Sequence, residues 1–137
     1  MKEKDERQKN LSLSSPQSGE ILRKDGEFFD KPDYHGNRLL TPEGGYGFSL
    51  IRAYIKPGGE SPPKRMITAI RVYFVISGSG EFVINEESYK AEKDKTFLIS
   101  PGGVYSFKAG EGGMEIFEVN VPGADSESYE FVEPQPQ

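Results

Sequence analysis

The sequence contains no cysteine and no tryptophan, and it has a single histidine, His35. Without cysteine the chain can form neither a disulfide framework nor a zinc–thiolate site, which fits a reducing compartment. No apolar run reaches membrane-spanning length, and the first ten residues, MKEKDERQKN, lack the apolar core of a signal peptide. We therefore expect a cytoplasmic protein that is not associated with a membrane.

Positive charge is also in short supply. The net charge is −5, from 22 acidic and 17 basic residues, which argues against nucleic acid as a general partner. The charges are unevenly distributed, because no lysine or arginine follows Lys108. Between Arg52 and Arg71, by contrast, the basic residues outnumber the acidic ones, of which Glu60 is the only example.

The turn-forming residues indicate the fold class. Sixteen glycines and ten prolines divide the 137 residues into short segments, and no convincing helical period is present. This pattern predicts a single all-β domain, a barrel or jelly roll. We expect residues 1–18 to be a flexible arm that is disordered or bound to a partner subunit, residues 19–133 to form the barrel, and residues 134–137 to be a tail.

Strands and loops can be placed approximately. Strands are predicted for Phe48–Lys56, Ile67–Ile76, Glu81–Asn85, Ser88–Glu92, Thr96–Ser100, Val104–Ala109, Met114–Val121 and, at an edge, Tyr129–Val132. Lys31–Tyr46 is expected to be a long loop that carries His35. Gly78 and Gly80 are expected to form a tight turn, and Ala109–Gly113 is expected to be a glycine-rich loop.

Two stretches carry a family resemblance. The first, PGGESPPKRMITAIRVYFVISG, covers Pro57–Gly78, and the second, TFLISPGGVYSF, covers Thr96–Phe107. They resemble the two motifs of the cupin family, with core motifs spanning residues 47–122. Gly59, Arg65, Ile67, Arg71 and Gly78 fall on the first motif without a gap, and Pro101, Gly103 and Ser106 fall on the second, with Lys95 replacing its leading glycine. The resemblance implies a single cupin-type jelly-roll β-barrel.

The resemblance also identifies four positions that usually hold a divalent metal in the family. Here they are Arg65, Ile67, Arg71 and Ser106. Metal sites need deprotonated histidine, carboxylate or thiolate donors. We therefore expect neither a metal nor another cofactor.

If the strand parity of the family holds, Arg71, Tyr73 and Val75 point into the barrel. Ile70, Val72, Phe74 and Ile76 then form an outward apolar face, and so large an apolar patch is expected to be covered. A second copy of the chain, giving a homodimer, is the predicted partner.

Arg71 has two interpretations. It binds an anionic ligand through its planar guanidinium, or it forms an internal ion pair with Glu81, Glu115 or Glu118. Arg65 and Lys64 are candidates for the barrel mouth or for a solvated loop. With Tyr73 and Ser106, Arg65 and Arg71 make up the predicted ligand-binding set.

Three residues are candidates for catalysis. Tyr73 and Tyr105 could serve as acid or base, although a satisfied wall residue is the commoner role of tyrosine. His35 could act as a base only if its loop folds over the barrel mouth. Ser106 has no histidine in either motif to activate it as a nucleophile.

Three functional hypotheses follow. We expect metal-independent binding of a small anionic or sugar-like ligand in the barrel. The alternatives are a cofactor-independent isomerase, epimerase or lyase acting on a carbohydrate-like substrate, and a non-catalytic dimeric interaction module with a filled barrel. The sequence leaves open whether the protein is an enzyme.

Overall fold

The computed structural model describes residues 18–42, 47–123 and 128–132. Nearly all of the predicted arm, residues 1–18, and the predicted tail, residues 134–137, lie outside the described residues. Within these ranges a 3-10 turn, Arg23–Asp25, precedes nine strands: β1 Glu27–Asp30, β2 Tyr34–Leu40, β3 Ser49–Ile55, β4 Glu60–Met66, β5 Ile70–Ile84, β6 Glu87–Glu92, β7 Thr96–Ile99, β8 Val104–Val121 and β9 Tyr129–Phe131. The all-β prediction is confirmed.

Two long strands organise the sheet. All of the pairings are antiparallel, and β5 pairs with β8 from Ile70↔Val121 to Ile84↔Tyr105. On the other side of β8, β3 pairs with its C-terminal half and β4 with its N-terminal half. β1 and β2 extend the sheet beyond β3, β9 pairs with β4, and β6 and β7 pair with β5. The result is one curled sheet that encloses an interior.

The predicted turn at Gly78–Gly80 and the predicted loop at Ala109–Gly113 are wrong. β5 and β8 run through these glycines as continuous strands, with register shifts after Val75 and Gly78. Gly78 has a φ of +83°, and a Cβ there would collide with the carbonyl oxygen of Gly113. The glycines allow two paired strands to bend and to approach closely while they stay hydrogen-bonded.

The predicted long loop at Lys31–Tyr46 is wrong over Tyr34–Leu40, and its last residues, 43–46, lie outside the described ranges. Tyr34–Leu40 is β2, which pairs with β1 on one side and with β3 on the other. Pro32 belongs to a short connection closed by the Lys31 amide, which donates to the Tyr34 carbonyl oxygen at 2.8 Å. Pro32 therefore marks a hairpin turn between β1 and β2 rather than the start of a long loop.

The aromatic residues build the core. The Phe82 ring stacks on Phe97 with a centroid distance of 4.6 Å and contacts Tyr73 at 5.1 Å and Phe107 at 5.3 Å. The inward face of β3, which alternation alone left open, carries Ser49, Ile51, Ala53 and Ile55. The interior is therefore packed with aromatic rings beside Tyr73 and with smaller side chains beneath β3.

The predicted parity of β5 is confirmed. Arg71, Tyr73 and Val75 are buried, whereas Ile70 and Phe74 on the opposite face are 40% and 36% exposed. Val72 and Ile76 on that face are half-buried.

No helix in the described part of the chain is long and apolar enough to cross a membrane.

Candidate functional site

A cavity of about 280 Å³ lies inside the curled sheet and is partly open to solvent. The β1–β2 hairpin forms one wall, β3, β5 and β8 form the floor, and β4 and β9 contribute the remaining side. The lining residues are Phe29, Lys31, Tyr34, Arg38, Ile51, Ala53, Ile55, Lys64, Arg71, Tyr73, Phe107, Ile116, Glu118 and Tyr129. The interaction-module hypothesis requires a filled barrel, whereas these residues enclose an open cavity.

Arg71 lies at the floor of the cavity and is only 4% exposed. Its Nη2 is 3.6 Å from Glu118 Oε2, its Nε donates to Asn120 Oδ1 at 2.6 Å, and its Nη1 donates to the Tyr105 hydroxyl. Of the two interpretations of Arg71, the structure therefore contains the internal ion pair, with Glu118 as the carboxylate.

Further hydrogen bonds hold the Arg71–Glu118 pair in place. Asn120 Nδ2 donates to Glu118 Oε2 at 2.9 Å and to Ser49 Oγ at 3.1 Å. The hydroxyls of Tyr73 and Tyr105 are hydrogen-bonded at 2.9 Å. Among the described residues no buried side-chain nitrogen or oxygen lacks a partner, so the floor is a satisfied network.

The network fixes the charges of its members. Burial alone would raise the pKa of Glu118, but the Arg71 guanidinium and the Asn120 amide outweigh it and lower that pKa. Burial likewise opposes the charge on Arg71, but Glu118 raises the pKa of the guanidinium further. Burial raises the pKa of Tyr105, and that of Tyr73 well above its ordinary value, so both phenols are neutral at physiological pH.

These phenols predict a loss of stability in alkali. The ordinary tyrosine pKa is 10.0 and the folded value of Tyr73 lies well above it. The contribution of Tyr73 to the free energy of unfolding is therefore complete below pH 10.0. It falls as the pH rises above that value, because only the unfolded chain readily releases the proton. Urea unfolding followed from about pH 7 to about pH 11 should show this decline.

Tyr73→Phe supplies the control for this titration. The variant should be less stable at neutral pH but should show a shallower decline in alkali, because one of the masked phenols is gone. Equal slopes in the two proteins would show that Tyr73 ionises without unfolding.

The predicted ligand-binding residues are only partly brought together. Arg71 and Tyr73 line the cavity, and Tyr105 lies directly beneath them in contact with Arg71. Arg65 points away from the cavity, and its Nη1 is 2.9 Å from Glu130 Oε2. Ser106 faces a separate surface depression beside Glu60 and Lys108.

His35 lies on the outer side of the β1–β2–β3 sheet. Its ring is 6.3 Å from the Phe28 ring and 5.5 Å from the Tyr54 ring. Its neighbour Tyr34 is the one that lines the cavity. Because successive strand residues face opposite sides, His35 points away from the cavity and cannot act as a base in it.

A bulge explains why Arg65 and Ile67 do not join Arg71. The register of β4 against β8 shifts between Ser61 and Lys64, where Pro62 and Pro63 stand. One extra residue reverses the parity of the strand downstream. Lys64 therefore faces the cavity and Arg65 faces outward, while Ile67 follows the strand end and is 44% exposed.

Several lining residues were missed by sequence reasoning. Tyr34 and Arg38 come from β2, which was assigned to a loop, Phe29 comes from β1, and Tyr129 comes from the edge strand β9. Tyr34–Leu40 reads YHGNRLL and shows no apolar–polar alternation, so its sequence gave no signal of a strand. Glu118 was considered only as a partner of Arg71, yet its carboxylate also lines the cavity.

The described residues do not fit a divalent metal. No group of three histidine, cysteine, aspartate or glutamate side chains converges anywhere within residues 18–42, 47–123 and 128–132. The cavity floor offers Glu118 alone, and Arg71 occupies the position beside it. A guanidinium at the centre of the site opposes a cation, so the metal chemistry of the usual motif has no ligand set here.

Comparison with solved structures places the fold. A Streptomyces PAC13 variant with uridine aligns with a TM-score of 0.70 at 17% identity, covering 85% of this chain and 92% of that one. KdgF from Halomonas sp. aligns with a TM-score of 0.71 at 12% identity over 80% of this chain and 97% of that one. Ectoine synthase from P. lautus gives 0.65 at 21% identity over 81% and 84% of the two chains.

These likenesses define the class. The chain has the cupin fold, as a single barrel, which confirms the fold implied by the two motifs. No family model and no curated sequence matches the chain. At these identities the comparisons concern the fold, and function has to be argued from the site.

Proposed function

We propose that the barrel binds a small anionic, sugar-like molecule without a metal. The observation that carries the proposal is the charge of the cavity lining. Lys31, Arg38, Lys64 and Arg71 line it against a single carboxylate, Glu118. A recess with this surplus of cations concentrates anions and disfavours cationic ligands.

The other lining groups support a sugar-like ligand. Tyr34 and Tyr129 bring rings with hydroxyls to the wall, and Phe29 adds an apolar ring. Flat rings pack against the C–H faces of a sugar, while phenols and amines can hydrogen-bond its hydroxyls. The volume of about 280 Å³ lies near the lower end of small-molecule pockets, about 300–1,000 Å³, which suits a ligand the size of a monosaccharide.

The neighbours are consistent with this size and chemistry. PAC13 was solved with uridine and is described as a nucleoside dehydratase. This chain shares with it the barrel architecture, and we propose a polar ring compound as the ligand class of its cavity. The absence of cysteine supports a reducing location such as the cytoplasm.

Matched sugar pairs test the proposal. The melting temperature should rise with D-glucuronate or D-galacturonate and should change much less with D-glucose or D-galactose, because only the acids satisfy the surplus cations. A ligand at about 100 times its dissociation constant stabilises by about 2.7 kcal/mol. Prior incubation with EDTA should leave the rise unchanged. No response to any of these compounds, or to phosphate and uridine monophosphate, would overturn the proposal.

A cofactor-independent lyase or isomerase is the second candidate. Glu118 is the observation that favours it, because its carboxylate lines the cavity beside the Tyr73 hydroxyl and is therefore placed to accept a proton from a bound sugar acid. Deuterium exchange into uronates incubated with the protein in D₂O would reveal such proton abstraction. The same incubation with Glu118→Gln should then show none.

We also propose that the protein is a homodimer. Leu98 is 58% exposed and Val121 47% exposed, and in the sheet they lie opposite Val72 and Ile70 respectively. With Phe74 they make one continuous apolar surface on the outside of β7, β5 and β8. A second copy offers the same surface and would cover it through an isologous contact.

A further inference from the structure

Lys64 stands out among the cations that line the cavity. Arg71 is paired with Glu118, and Arg38 pairs with Glu27 at 3.5 Å while its guanidinium lies 4.5 Å from the Phe29 ring centroid. Lys31 is exposed to solvent. Lys64 is half-buried and forms no ion pair with any residue that the structure describes.

Two aromatic rings hold the Lys64 ammonium in place. Its Nζ is 4.9 Å from the ring centroid of Tyr129 and 5.6 Å from that of Phe131. Both rings belong to β9, which pairs with β4 at Lys64↔Phe131. Cation–π contacts of this kind position an ammonium and leave its hydrogen-bond donors available.

A second cation shares one of these rings. The Arg71 guanidinium lies 5.5 Å from the Tyr129 ring centroid, so Lys64 and Arg71 converge on the same aromatic group. Glu118 is already engaged by Arg71 and Asn120. The positive charge that Lys64 adds is therefore not matched from within the described part of the chain.

We infer that Lys64 is the anchor for the anionic group of the ligand, and that this group is a carboxylate or phosphate placed beside Tyr129. The inference rests on the proposed function and makes it more specific. Arg71 stays paired with Glu118 and shapes the floor, while Lys64 supplies the charge that the ligand neutralises. The Pro62–Pro63 bulge is what turns Lys64, rather than Arg65, toward this position.

The pH dependence of binding follows from this placement. Burial and the Arg71 charge lower the pKa of Lys64 in the free protein. An anion binds the protonated amine, so once the ligand is ionised its affinity should stay constant with rising pH and then fall as pH passes through that lowered pKa. Arg71 on β5, Glu118 on β8 and Tyr129 on β9 interact with Lys64, and Tyr105 on β8 is its strand partner. The other titratable groups of the cavity lining are Lys31, Tyr34, Arg38 and Tyr73.

Two adjacent residues give a matched test. Calorimetric titration with D-glucuronate should show binding weakened about 10- to 100-fold in Lys64→Met, the expected value of a hydrogen bond to a charged group. Lys64→Arg should retain most of the affinity. Arg65→Met, which changes the next residue on the outward face, should bind like the wild type.

The outcomes separate the two claims. Wild-type protein that binds glucuronate, with Lys64→Met unaffected or Arg65→Met impaired, overturns the anchor and leaves the proposed function standing. Wild-type protein that binds none of glucuronate, phosphate and uridine monophosphate overturns both. If Lys64→Met does not fold, NMR of protein with ¹³C-dimethylated lysines decides instead. The Lys64 resonance is assigned as the one that is missing from the spectrum of Lys64→Arg. It should shift in the wild type when glucuronate is added, and an unmoved resonance would refute the anchor.

Discussion

Replacing Arg71 by methionine is expected to destabilise the protein by about 3–5 kcal/mol, because the variant leaves the Glu118 carboxylate buried without its cation. The structure supports this size of effect. Arg71 is 4% exposed, and the change also removes the donor to Asn120 and Tyr105. For a chain of this length the loss corresponds to a fall in melting temperature of about 10–20 °C.

A double variant distinguishes the broken ion pair from poor packing. Arg71→Met with Glu118→Leu removes both charges and should recover most of the lost stability, because an apolar replacement of a buried pair is often neutral or stabilising. Urea unfolding of the wild type, both single variants and the double variant measures the coupling. If Arg71→Met were as stable as the wild type but no longer responded to anions, Arg71 would be the ligand anchor instead.

Replacing Phe74 by glutamate is expected to convert the proposed dimer into monomer or to cause aggregation. Phe74 lies in the middle of the outer apolar surface, with Phe117 and Thr96 opposite it in register. Exposed apolar side chains of this size forfeit about 1.5–3 kcal/mol each, and a buried carboxylate adds a desolvation cost. Sedimentation velocity across a range of concentrations measures the change.

Phe28→Glu is the matched control for this experiment. Phe28 is 61% exposed but belongs to β1, away from the proposed contact, so its replacement should leave the oligomeric state unchanged. Wild-type protein that sediments as a monomer at high concentration would show that the surface is not a dimer contact.

The sequence predicted the fold and part of the floor because the information there is local. The strand parity implied by the family resemblance placed Arg71 and Tyr73 inside, and both are buried. The turn Pro101–Gly103 between β7 and β8 is marked by its own residues. Composition predicted the all-β class, and the two motifs supplied the cupin-type barrel and the parity.

The rest of the site depends on pairings that local patterns do not record. The bulge at Pro62–Pro63 changes which of Lys64 and Arg65 faces inward, and it is defined by the register of β4 against β8. Tyr34 joins the cavity only because β2 pairs with β3. A long strand that bends at glycines was predicted as two strands, since glycine usually ends a pattern.

The most direct test of the proposed site is an NMR titration of isotope-labelled protein with D-glucuronate in the presence of EDTA. Binding in the cavity should shift the amide resonances of residues on its walls, including Tyr34, Ile51, Lys64 and Glu118. The resonances of Ser106 and Leu98, which lie outside the cavity, should stay in place. Shifts confined to the outer face or to the depression around Ser106, or binding that requires added metal, would contradict the account.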